Sequence, residues 1–158
     1  MARDLSRHLG RGARLLEVDQ DLDFLRNRLA PTTTPDTKFF WDGLKANQLL
    51  MQRCTGCGAL RHPPRPMCPR CNSLAWDAIE ASGRGVVYSF VLPRHPSWPW
   101  FDGTYIVALI ELEEGTRIVS NLRDVDPEAV TIGMPVQAYI EHFDNGVSLP
   151  QFRPRREP

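Results

Sequence analysis

The sequence predicts a mainly β chain with N-terminal helices, in which a small four-cysteine ribbon precedes a five-stranded barrel. Three observations predict it. All four cysteines stand in one stretch, "CTGCGALRHPPRPMCPRC", as two Cys-x-x-Cys pairs with ten residues between Cys57 and Cys68. Five apolar or alternating runs follow, separated by loops that contain Gly, Pro or Asp. Ahead of the cysteines, apolar residues recur at spacings of three and four rather than two. With 158 residues the chain is long enough to bury a core without covalent help, so a disulfide scaffold is not required.

Residues 1–33 read as a helical arm, because Leu15, Val18, Leu22, Leu25 and Leu29 alternate spacings of three and four before Pro31. A short helix is expected over 34–47, with Thr34 as N-cap, Pro35 at its first position, Asp36 in the first turn, and Phe40 and Leu44 one turn apart. Residues 48–81 form the ribbon, with "QLLMQRC" and "ALRHPP" as the strands flanking the first cysteine pair. Residues 82–158 form the barrel from "RGVVYSFVL", "TYIVALIEL", "TRIVSNL", "PVQAYIEH" and "GVSLPQF". "EEG" at Glu113 to Gly115 is a tight hairpin, and Asp126 to Ala129 leave room for a helical turn. Five strands with a longer link between the third and fourth match the oligonucleotide/oligosaccharide-binding (OB) pattern. On the first of them Val86, Tyr88, Phe90 and Leu92 are expected on the core face.

The N-terminus has scattered charges and no apolar signal segment, and no run approaches the length of a membrane span. A cytoplasmic protein without membrane contact is expected. In a reducing compartment, paired Cys-x-x-Cys spacing favours a metal over disulfides. Cys54, Cys57, Cys68 and Cys71 complete a tetrahedral four-thiolate site with no open position, which makes it structural rather than catalytic. Gly58 and Asn72 stand just after the second cysteine of each knuckle, where a positive φ is needed. Zinc is expected over iron, because nothing else suggests electron transfer. From Gly43 to Trp76 there are Lys45, Arg53, Arg61, Arg65 and Arg70 and no acidic residue, a cluster that offsets the negative charge of four thiolates on a divalent ion.

Other function classes fare worse. From Ser82 to Pro158 the chain has seven Lys or Arg against ten Asp or Glu, and the whole chain has net charge zero, so a groove tracking nucleic-acid phosphates is disfavoured although ribbons and OB barrels both occur in nucleic-acid binders. His62, His95 and His142 have Asp102 and Glu141 as possible partners, but no nucleophile motif or carboxylate pair frames a reaction. The loop "PRHPSWPWFDG" joins the first two barrel strands and sets His95, Trp98, Trp100 and Phe101 among prolines. Either its aromatics fold onto the barrel, or they are presented to a ligand or partner.

"TPDTKFFWDGL", "LLMQRCTGCGALRHPPRPMCPRC", "GRGVVYSFV", "YIVALIELEEGTRIVSNL" and "IGMPVQAYIE" together resemble a family of small proteins built from a helical segment, a rubredoxin-like zinc ribbon and an OB-fold. The resemblance runs from about Thr34 to Pro154, and the arm has no counterpart in it. It implies a non-catalytic accessory subunit of a thiolase-like acyltransferase or aldolase in acyl-CoA metabolism, including the shortening of steroid side chains. Cys54, Cys57, Cys68 and Cys71 are then the metal ligands. The protein is expected in a hetero-oligomer; if Arg53, Arg61, Arg65 or Arg70 does more than neutralise the metal site, one or two of them face the phosphates of coenzyme A.

Overall fold

The structure is a computed structural model and describes residues 28–94 and 105–155. Of the expected arm, Leu15, Val18, Leu22 and Leu25 lie outside the described residues, while Leu29 stands exposed in irregular backbone rather than helix. Helix α1 spans Lys38–Lys45. It starts later than expected, because the Thr34 carbonyl accepts from the N–H groups of Thr37 and Lys38 at 3.1 and 2.9 Å and closes a turn through Pro35 and Asp36. Thr37 is therefore the N-cap. Phe40, Gly43 and Leu44 form the buried face of α1. Gly43 keeps the helix close to the ribbon, since a Cβ there would meet Leu50 Cδ1 at 2.8 Å.

The ribbon is a three-stranded sheet of β1 (Leu50–Cys54), β2 (Leu60–Arg61) and β3 (Trp76–Glu80), in the order β2-β1-β3. β1 and β2 are the two expected strands; β3 was not foreseen. Its residues are only partly covered, so burial leaves no alternating signature, and its strand character comes from a continuous ladder from Leu50 opposite Glu80 to Cys54 opposite Trp76.

All five expected barrel strands form. β4 (Arg84–Val91), β5 (Ile106–Leu112), β6 (Arg117–Leu122), β7 (Pro135–His142) and β8 (Ser148–Pro154) close in the order β4-β5-β6-β8-β7. Neighbours are antiparallel except β6 and β8, which run parallel at Asn121 and Leu122. The longer link carries a 3-10 turn at Pro127–Ala129, whose N-cap Asp126 accepts from the Glu128 N–H at 3.0 Å. Gly85 permits the close crossing of β4 and β5, because a Cβ there would lie 2.4 Å from the Glu111 carbonyl oxygen.

One expectation on β4 fails. Val87 is buried, whereas Val86 and Tyr88 face outward. The ladder to β5 skips Tyr88, pairing Val87 with Ile110 and Ser89 with Leu109, and this bulge reverses the strand's alternation. Phe90 and Leu92 return to pack against the core, as expected.

Phe40 and Leu44 of α1, Leu49 just before β1 and Met51 within it, and Val87, Ile110, Leu122 and Phe152 of the barrel belong to one buried cluster. Helix, ribbon and barrel thus share a core. Among the described residues no helix is long and apolar enough to cross a membrane.

Candidate metal centre and ligand cleft

The two knuckles repeat one backbone pattern. The Cys54 N–H donates to the Ala59 carbonyl and the Gly58 N–H to the Cys54 carbonyl, at 2.9 and 2.8 Å; Cys68 donates to Ser73 and Asn72 to Cys68, both at 2.9 Å. Closing these turns demands a left-handed residue, and Gly58 and Asn72 have φ of 73° and 58°. Ligand atoms of all four cysteines lie within 4.8 Å of one another, with Cys54 and Cys71 sulfurs 3.5 Å apart and those of Cys57 and Cys68 3.6 Å apart. Four sulfurs about 2.3 Å from a central ion stand at such separations, so the donor set fits a tetrahedral metal site.

Their electrostatics ask for a cation. The Arg70 backbone N–H lowers the pKa of Cys68 from 9.0 to about 6. Cys71 is favoured as thiolate by the Ser73 N–H, yet the neighbouring Cys54 and Cys57 sulfurs push it up to about 12. Without a positive charge between them the four thiols do not ionise together. Cys54 and Cys68 are buried and Cys57 and Cys71 exposed, so the centre sits at the ribbon tip. A fully cysteine-ligated ion there would hold the knuckles and leave no open position for a substrate.

The arginines around it divide into three situations. Arg53 donates from Nε and Nη2 to the two carboxylate oxygens of Asp77 at 2.9 and 2.6 Å. Its charge is thus matched across the β1–β3 ladder, by an acidic residue one position beyond the stretch that seemed purely basic. Arg61 is 6% exposed, and all three guanidinium nitrogens are buried without a hydrogen-bond partner among the described residues. Arg65 is held by its backbone, whose N–H and carbonyl bond the buried Gln52 side chain at 2.9 and 3.0 Å. The side chains of Arg65 and Arg70 have no ion pair among the described residues, and both residues are exposed.

A cleft of about 450 Å³ opens between α1, the loop after β2 and the barrel. Phe40 and Trp41 wall one side, Pro63 and Pro64 another, and Val107, Val119 and Leu149 the barrel side. OB barrels bind ligands on this face, over the second and third strands. Here aliphatic side chains line it. Tyr105 also lines the cleft, so the loop that begins at Pro93 rejoins the barrel at its edge; His95, Trp98, Trp100, Phe101 and Asp102 lie outside the described residues. Trp41 Nε1, His62 Nδ1 and Gln151 Oε1 are buried around the cleft without partners among the described residues. Burial lowers the His62 pKa from 6.5 to about 4, which keeps the ring neutral at pH 7, its centroid 4.9 Å from that of Phe40. The cleft escaped the sequence reading because three distant segments build it, although "IVALI" is apolar on both parities, a mark of a strand covered on two faces.

A family model described as ChsH2, rubredoxin-like zinc ribbon domain, matches residues 41–77, and one described as ChsH2, C-terminal OB-fold domain, matches residues 78–141. The 3-oxo-4,17-pregnadiene-20-carboxyl-CoA hydratase alpha subunit of Mycobacterium tuberculosis is 45% identical over 117 residues, 73% of this chain. The chain spans only 37% of that relative's length. A DUF35 domain-containing scaffold protein of Methanocaldococcus jannaschii is 38% identical over 114 residues, 68% of this chain and 81% of the scaffold. Among solved structures, a chain of the Ltp2-ChsH2(DUF35) aldolase matches with a TM-score of 0.75 and 46% identity, over 78% of this chain and 98% of that one. Both domain matches, the four ligands in place and the relatives' identity lead to one assignment: the chain belongs to the DUF35 family, with the zinc ribbon and OB-fold of ChsH2.

Proposed function

We propose that this chain is a non-catalytic accessory subunit that binds a thiolase-like acyltransferase or aldolase and helps it hold an acyl-CoA in lipid or steroid side-chain metabolism. The observation that carries the reading is the 46% identity, at a TM-score of 0.75, to a chain of the Ltp2-ChsH2(DUF35) aldolase. The chemistry of the chain agrees with it. The metal centre is closed by four thiolates, and the cleft between α1 and the barrel is mainly apolar. Such a cleft suits an acyl chain, while Arg65 and Arg70 offer guanidiniums to phosphate oxygens. In this reading the ion is zinc, and the cytoplasm keeps its ligands reduced.

Nucleic acid is the poorer reading. The OB face carries Val107, Leu109 and Val119 where a strand-tracking groove needs cations and stacking rings, and its Arg117 is bonded to Glu111.

Co-expression with the Ltp2 subunit, size-exclusion chromatography and calorimetry with an acyl-CoA test the proposal. A complex that binds acyl-CoA is expected. Absence of any complex overturns the accessory role; a complex without acyl-CoA affinity beyond that of Ltp2 alone overturns the ligand role.

A further inference from the structure

The polar side chains that line the cleft fall into two sets. Thr37, Ser120 and Asn121 are answered within the chain: the Thr37 Oγ1 accepts from the Thr34 N–H at 2.9 Å, the Ser120 Oγ donates to the Pro150 carbonyl at 2.6 Å, and the Asn121 Nδ2 donates to the Ile106 carbonyl at 3.0 Å. Trp41 Nε1, His62 Nδ1 and Gln151 Oε1 are not answered, each being buried with no hydrogen-bond partner among the described residues. The second set is the unusual one, because buried polar atoms are nearly always paired.

Gln151 is the most firmly held of the three. It is 1% exposed on β8, where its backbone pairs with Asn121 of β6 and Tyr139 of β7, so ladders on both sides fix the position from which its amide meets the cleft. Helix α1 packs on β8 and brings the Trp41 indole to the same cleft. The two groups are complementary, since an indole N–H only donates and an amide oxygen only accepts. A hydroxyl answers both kinds of group, whereas a carbonyl oxygen answers Trp41 alone and a saturated hydrocarbon answers neither. The neutral His62 ring either donates or accepts at Nδ1, so it discriminates between oxygens less than the other two. Around them Phe40, Pro63, Val107, Val119 and Leu149 supply apolar walls. A hydrocarbon laid against those walls would leave Trp41 and Gln151 unpaired and cut off from water, which is the costly side of the hydrogen-bond balance.

We propose that the cleft takes an apolar ligand that carries a hydroxyl group, which accepts a hydrogen bond from Trp41 Nε1 and donates one to Gln151 Oε1. This rests on the reading of the cleft as the seat of the acyl group, and adds its chemical class: an acyl body bearing an alcohol rather than a plain saturated chain.

Three small molecules of one skeleton test it: 1-indanol, 1-indanone and indane, which offer a hydroxyl, a carbonyl and neither. Each is titrated into the metal-loaded full chain labelled with nitrogen-15, and NMR reads the dissociation constant and the Trp41 indole N–H resonance. Indanol should bind at least about tenfold more tightly than indane, with indanone between them, and should move the Trp41 indole proton downfield. Trp41→Phe keeps a ring on the wall and deletes the donor, so indanone should fall to the level of indane while indane itself is unchanged. Gln151→Met deletes the acceptor and should bring indanol down to the level of indanone. If Gln151→Met does not fold, the parent's ratio of indanol to indanone reads the same acceptor without a substitution. Equal affinities for the three molecules overturn the hydroxyl class while the cleft remains a seat for apolar groups, and indanone as tight as indanol overturns it too. So does a preference for indanol that survives both substitutions, because the oxygen is then read elsewhere. Binding of none of the three beside the Trp41 indole overturns both the class and the acyl seat beneath it, with the accessory role still standing on the complex with Ltp2.

Discussion

His142 at the end of β7 holds Asn47, its Nε2 standing 2.9 Å from the Asn47 Oδ1 across 95 residues of sequence, while its Nδ1 lies 2.9 Å from the Ser148 Oγ. The amide oxygen only accepts, so Nε2 carries the proton and Nδ1 receives the serine hydroxyl. Asn47 ends the turn after α1 with φ of 62°. The histidine therefore ties the helix and ribbon side of the shared core to the barrel.

Removing that tie should cost about 1 kcal/mol. Asn47→Gly keeps the left-handed backbone and deletes only the acceptor, which separates the hydrogen bond from strain. In a double-mutant cycle with His142→Ala, denaturant unfolding should give a coupling of about 0.5–1.5 kcal/mol. Additive losses would mean that the bond contributes nothing in solution.

The metal centre predicts about one zinc per chain by elemental analysis. Cys68→Ser should abolish stoichiometric binding and expose the amides of β1–β3 to hydrogen exchange, with β5 and β6 protected longest. The shared core sets the limit of that independence. Because Leu49 and Met51 lie in one cluster with Val87 and Phe152, metal loss should also lower the barrel's unfolding midpoint. Full retention of that midpoint would separate the two units.

Legibility followed the range of the interactions. Four ligands, two knuckle residues and five barrel strands are local patterns, readable as spacing or alternation. The bulge at Tyr88 is one extra residue that period-two reading absorbs silently, and it moved Val86 and Tyr88 from the core to the outer face. The Arg53–Asp77 pair was missed for another reason. Asp77 sits on β3, a strand recognisable only from its ladder with β1. The cleft needs α1, the loop after β2 and the barrel together, and no single stretch announces it.

Exposure limits what the Arg53–Asp77 pair contributes: both side chains are more than two-fifths exposed, at 45% and 42%. Arg53→Ala should barely move the unfolding midpoint and leave metal content unchanged. A drop in zinc occupancy would restore Arg53 to the role of compensating the thiolates.

His62 should make the fold acid-sensitive in a defined window. Its pKa is lowered from 6.5 to about 4 by burial, so between those values the unfolded chain binds a proton that the folded chain refuses. Stability from this group is complete above about pH 6.5, declines as pH falls to about 4 and is flat below. Its full extent is about 3 kcal/mol. His62→Phe keeps a ring against Phe40 and cannot titrate. The difference between the two unfolding curves, measured at equal metal content, should grow across that window; parallel curves would show that His62 is not buried neutral.

Arg61 supplies the sharpest test of what the ribbon is for. Its guanidinium is almost wholly buried, with Nε, Nη1 and Nη2 unpartnered among the described residues. A charge so placed is a burden on the free chain, since burial strips its water and no acceptor replaces it. Arg61→Met fills similar space without the charge, and should raise the free chain's stability by about 1–3 kcal/mol. If the arginine is retained for binding, the same substitution should weaken acyl-CoA affinity of the complex with Ltp2, because a buried guanidinium is a strong seat for an oxyanion. Gain in stability with loss of affinity would assign Arg61 to the ligand. Gain without loss leaves phosphate contact to Arg65 and Arg70. A fall in the unfolding midpoint would instead show that the guanidinium has a partner in the free chain and is part of its architecture.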